Sequence, residues 1–133
     1  MLRSGPDGRL AVMLHDAPEY VIGDMITPFK TILGGEYRGV EERLRRAIHM
    51  RFGLPSTLPG SLETRVKAAD RAAAFYEATL LAGFADAEAE RFFGRPRGID
   101  PATLALDPWP AARAEREYLK RFRAISKAAA SEA

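Results

Sequence analysis

Cysteine is absent from the 133 residues, which excludes disulfides, thiolate metal sites and a cysteine nucleophile, and fits a reducing compartment. Long apolar runs are missing too. The longest near the start, Leu10 to Leu14, has five residues, too few for a signal peptide and far below the roughly 20 that span a bilayer. A cytoplasmic chain with no membrane contact is the expectation. Nor does one charge sign prevail: 20 basic side chains meet 18 acidic ones for a net charge of +2, so nothing speaks for a nucleic-acid polymer as partner. Histidine is scarce, with only His15 and His49. No alternation of apolar and polar residues is long enough to read as a strand.

What remains is the composition of a globular chain, 47% apolar and 29% charged, long enough for one domain with a real core. Helical periodicity recurs throughout, so the reading is all-α: a single domain over 1–133, with a flexible leader at 1–8 and a fraying tail at 126–133. The spacing predicts a first helix from about Arg9 to Tyr20. A break follows from Met25 to Lys30, because Pro28 disfavours helix at the residue before it. A second helix spans Glu36 to Arg51, with Val40, Leu44 and Ile48 on one face and Glu41–Arg45 and Glu42–Arg46 as i,i+4 pairs. The third, Leu62 to Leu81 with Ser61 as N-cap, buries Leu62, Val66, Ala69, Ala73, Tyr76 and Leu80. A short helix from Asp86 to Phe93 ends at Gly94. The last opens at Asp107-Pro108 and carries Ala114, Tyr118, Phe122 and Ile125 inward.

The chemistry concentrates in LHDAPEYVIGD, residues 14 to 24. On a helix His15 and Glu19 share a face and Asp16 is the adjacent position. An imidazole nitrogen and a neighbouring carboxylate oxygen can reach one divalent cation, leaving Glu19 to act on a water there. Such a mixed donor set suits Mn, Co, Zn or Fe, which make hydroxide available near neutrality. The bland alternative is a helix C-terminal histidine with solvated acids. Lys67-Ala68-Ala69-Asp70 adds an aspartate among apolar residues in the middle of an amphipathic helix, costly to bury unless it is paired or holds a metal. Its own bland alternative is a salt bridge with Lys67 or Arg71.

His15-Asp16-Ala17-Pro18-Glu19, then Gly23-Asp24, then Thr27-Pro28-Phe29-Lys30, then Lys67-Ala68-Ala69-Asp70: this order and spacing resembles the HD-superfamily metal-dependent phosphohydrolases, in particular their 5'-deoxynucleotidase-like branch. The similarity runs from about Leu10 to the last helix. It implies an HD-domain-like helical bundle in which His15, Asp16 and Asp70 match three of four metal ligands. Glu19 matches the residue that activates the attacking water, and Asp24 an acid near water and phosphate. Lys30 and Lys67 are the candidates for contacting the substrate phosphate. The implied reaction is hydrolysis of a small nucleotide, a nucleoside 5'-monophosphate.

The chain departs from that pattern at its start. The family's first metal histidine lies on an upstream helix, and none of the fourteen residues before His15 is histidine. His49, among Arg45, Arg46 and Arg51, is expected at the surface or edge of its helix. Without the upstream helices the bundle is N-terminally incomplete. Leu10, Val12 and Met13 are then expected to present apolar surface, so either the chain forms a homo-oligomer or the recorded start misses part of the protein. The competing reading is a degenerate, non-catalytic HD domain kept as an interaction or regulatory module.

Overall fold

The computed structural model describes residues 6–131. Six helices follow one another: α1 (Pro6–Met13), α2 (Glu19–Ile22), α3 (Thr27–Arg51), α4 (Gly60–Leu80), α5 (Asp86–Phe93) and α6 (Ala111–Ser131), with one 3₁₀ turn at Pro101–Thr103. No strand occurs among the described residues, and the fold is all-α. Residues 1–5 of the expected leader and 132–133 of the expected tail lie outside the described residues. Within them, 6–8 already belong to α1, and α6 continues to Ser131.

Proline decides three of the boundaries. Pro6 opens α1, where its missing N–H is one that a first turn leaves unpaired anyway. The helix expected over Arg9 to Tyr20 stops at Met13 instead. Pro18 has no N–H to return to the carbonyl of Leu14, so the ladder gives way to tighter bonds: His15 N–H to Val12 O (3.3 Å), Ala17 N–H to Leu14 O (3.1 Å) and Glu19 N–H to Asp16 O (2.9 Å). Pro28, expected to break the chain, sits in the first turn of α3 and helps start it; Phe29 and Lys30 both donate to Ile26 O. The interruption falls later, at Gly34 (φ 67°, ψ −150°), a conformation few residues but glycine adopt. α5 has the bounds its sequence announces, ending at Gly94. α6 begins after Pro110, whose carbonyl accepts from Arg113 and Ala114, and not at Asp107-Pro108.

The chain forms two compact units, one of Met1–Glu63 with Phe122–Ala133, the other of Thr64–Arg121. Buried in the first are Leu10, Ala11, Leu14, Leu54, Leu58 and Ile125, and the rings of Phe52 and Phe122 meet edge to face at 5.4 Å. Leu10 was expected to face water and is instead covered, whereas Val12 is 45% exposed. The alternation has a simple cause: on α1, positions 10, 11 and 14 share one face and 12 lies opposite.

The second unit packs Phe75, Tyr76, Ala78 and Ala89 together, with Phe84, Phe93, Leu104 and Leu106 against them. The stripe expected on α4 is therefore borne out at only half of its positions. Val66 and Tyr76 are buried, Leu62 is half-buried, and Ala69, Ala73 and Leu80 are exposed. On α6, Ile125 is buried and Phe122 half-buried, but Ala114 and Tyr118 are exposed.

Candidate functional site

The turn between α1 and α2 presents His15 and Asp16, while Glu19 opens α2 and Asp24 follows it. His15 Nε2 lies 3.8 Å from Asp16 Oδ1, with His15 half-buried and Asp16 exposed. This corrects the expectation of a shared helix face for His15 and Glu19: His15 and Asp16 belong to the turn, and Glu19 begins α2. The short α2 ends at Gly23, whose carbonyl accepts the Tyr37 hydroxyl from α3 at 3.3 Å, so the segment carrying Asp24 is tied to α3.

Electrostatics tie these groups into one cluster. Burial raises the Glu19 carboxyl above its ordinary range, and the charges of Asp16, Asp24 and Glu41 raise it further, against an opposing pull from Lys30. Burial works against the Lys30 ammonium, but its hydrogen bond to Glu41 Oε1 (3.2 Å) and the surrounding negative charge outweigh that and hold its pKa above the ordinary lysine value. Glu19 thus feels Asp16, Asp24, Glu41 and Lys30, and Lys30 in turn feels Glu19 and Glu41. Glu41 is the member that sequence reasoning missed: it pairs with Lys30, eleven positions away, and not with Arg45 as expected. Only the kinked return of α3 makes that meeting. Arg45 and Arg46 both bind Glu42, the second at 2.9 Å, and the Arg45 hydrogen bond above all lowers the Glu42 carboxyl.

Asp70 lies in the second unit, on α4, and is exposed, as is Lys67. The premise that Asp70 is buried among apolar residues is not met. The alanines around it cover it poorly, and the large side chains of α4 that drive burial, Phe75 and Tyr76, come later. Among the described residues no group of three or more His, Asp or Glu side chains is assembled that could hold a metal ion.

His49 overturns another expectation. It is 2% exposed, not a surface or edge residue, and its Nδ1 lies 3.2 Å from Pro55 O. The signal was there in Gly53 and Pro55: the chain turns back after α3, with Leu54 N–H bonding His49 O at 2.8 Å, and brings a carbonyl onto the ring. A neutral imidazole with Nδ1–H on that carbonyl satisfies both partners. Desolvation lowers the His49 pKa, with Arg45 and His15 adding to it and the Pro55 carbonyl and Glu42 opposing. Because the folded pKa lies below the unfolded value of 6.5, the unfolded chain takes up the proton first as pH falls. Stability is therefore expected to be intact above pH 6.5 and to decline below it. Chemical denaturation of wild type and His49→Gln between neutral and mildly acidic pH checks this: the wild type should lose more stability on acidification than the variant, and parallel curves would remove His49 as the cause.

No family model matches the chain. An uncharacterized protein of Rhodobacter capsulatus is 50% identical over 112 residues, which make up 83% of this chain and 57% of that protein. The chain thus spans little more than half the length of the curated relative it matches. No helix among the described residues is long and apolar enough to cross a membrane.

Proposed function

We propose that this chain carries the site of an HD-type, metal-dependent phosphohydrolase that removes phosphate from nucleoside 5'-monophosphates. The observation that carries the reading is the cluster of Asp16, Glu19, Asp24 and Lys30 beside His15, in which Glu19 has a raised carboxyl pKa. A carboxyl moved toward neutrality beside a cation and two further acids is the setting in which general acid–base groups operate.

The donor types fit a divalent transition metal, Mn, Co, Zn or Fe: an imidazole nitrogen and a carboxylate oxygen 3.8 Å apart, with Asp70 taken as the third ligand on the family resemblance. When bound, the ion supplies Lewis acidity toward the phosphoryl oxygens. The remaining work falls to this chain's own side chains. Glu19 takes the proton of the attacking water at a carboxylate oxygen, Asp24 orients that water, and Lys30, released from Glu41, meets the phosphate charge. Lys67 is a further candidate for that contact. Self-association is part of the proposal, supported by apolar side chains left in water in the first unit, among them Tyr20 at 95% and Ile32 at 78% exposure.

The test is phosphate release from deoxynucleoside monophosphates by purified protein supplied with each of the four metals, wild type against Asp70→Ala. Release by the wild type that Asp70→Ala abolishes supports the reading; equal rates, or none with any metal, sink it. One observation favours a second reading, a non-catalytic HD-type module for interaction or regulation: the described residues assemble no three-ligand group. Under that reading the wild type releases no phosphate yet folds cooperatively.

A further inference from the structure

Away from the acid cluster, the second unit contains a cavity of about 490 Å³ between α4 and the segment that follows α5. Its α4 wall is made of Ala68, Ala69 and Ala72, short side chains that leave the helix surface open, together with Arg71. At 100° per residue, positions 68, 69, 71 and 72 fall on one side of α4 and Asp70 on the other. The cavity is thus on the opposite face of that helix from the proposed ligand.

The facing wall is the segment 94–99, and it is held in shape. Gly94 ends α5 with φ 73° and ψ 161°, its N–H bonding Glu90 O at 2.9 Å. Gly98 also has positive φ, and Pro96 stands between the two. At the far end Ile99 O accepts the Tyr76 hydroxyl at 3.3 Å, fastening the segment to the buried core. Arg95 is spent on this scaffold, bonding Glu90 at 3.1 Å and facing Asp86 at 3.8 Å. Arg71 and Arg97, which also line the cavity, have no carboxylate partner among the described residues. Two unneutralised guanidiniums from different elements, over a floor of alanine, Phe93 and Ile99, make a place for an anion joined to an uncharged body.

We propose that this cavity binds a small phosphorylated molecule, with Arg71 and Arg97 on the phosphate and the alanine and Phe93 surface against the rest. A phosphate offers three oxygens and up to two charges in several directions, and so can meet two forks that approach from different elements. The volume falls within the range of small-ligand sites. The site needs no metal and is independent of the hydrolase reading.

Titration calorimetry in EDTA, with the whole chain, separates the two. The probes are AMP, inorganic phosphate and citrate, with Arg71→Ala, Arg97→Ala and Arg71→Lys alongside wild type. AMP is expected to bind saturably and tighter than inorganic phosphate. Each alanine variant should weaken it about tenfold or more, Arg71→Lys less, with thermal unfolding unchanged. Absence of saturable AMP binding, binding indifferent to both arginines, or citrate binding as tightly as AMP overturns the proposal. Loss of phosphatase activity without loss of AMP binding would count only against the hydrolase.

Discussion

Replacing Phe75 with alanine is expected to cost about 3–5 kcal/mol of stability. Phe75 is buried on α4 and meets Tyr76 edge to face, ring centroids 5.3 Å apart. Around them stand Ala78 and Ala89, the latter wholly enclosed. Alanines cannot grow into the space a phenyl ring leaves, and helices locked by their own hydrogen bonds collapse only partly, so both the lost transfer free energy and the cavity are felt. Against a total of about 5–15 kcal/mol for a typical domain, that is a large fraction. Urea denaturation measures it, with Tyr76→Phe as comparison. The latter removes only the hydroxyl that donates to Ile99 O, worth about 0.5–1.5 kcal/mol. A Phe75→Ala loss no larger than that of Tyr76→Phe would show that this cluster is not the core of its unit.

The second large effect is expected at Glu19. On the hydrolase reading, Glu19→Gln keeps the shape of the side chain and removes its capacity to take a proton, so turnover should fall by about 10²–10⁴. Stability should move the other way. The folded-state pKa of Glu19 lies above its ordinary 4.5, because burial, Asp16, Asp24 and Glu41 all oppose the charged form. The stabilising share of such a group is present below pH 4.5 and lost as pH rises through the folded value. At neutral pH the ionised Glu19 is therefore a burden, and glutamine relieves it. The variant should be at least as stable as wild type at pH 7, and its advantage should vanish in acid. Turnover and denaturation curves on the same preparation check both arms. A variant that is less active and less stable together would mean that Glu19 is structural.

These two sites also mark what sequence reasoning reached. The all-helical class was legible from periodicity, and α5 from its local punctuation, Asp86 at the start and Gly94 at the end. The buried face of α4 was not. Ala68, Ala69, Ala72, Ala73 and Ala74 surround the helix with small side chains, so spacing gave no contrast by which to choose a side; Phe75 and Tyr76 chose it. The expectation that Asp70 is buried failed for the same reason. At the candidate site, the residue types in the LHDAPEYVIGD stretch identified the cluster, while its geometry depended on one missing N–H at Pro18, which replaced a helix face by a turn. Glu41 was out of reach of any local pattern, because it meets Lys30 only through the course of α3; the burial of His49 had a local sign in Gly53 and Pro55, which turn the chain back onto its ring. Contacts made by chain reversal leave little trace in spacing.

On the hydrolase proposal, the ligands of one divalent ion would be His15, Asp16 and, by the family resemblance, Asp70. Equilibrium binding of Mn, Co, Zn and Fe to the purified chain, followed by metal analysis of wild type, His15→Ala, Asp16→Ala and Asp70→Ala, tests that claim most directly. One ion per wild-type chain is expected, with weakened or lost binding in all three variants, each still folded by its thermal transition. Wild-type protein that binds none of these ions, or an Asp70→Ala variant that binds as the wild type does, would contradict the claim.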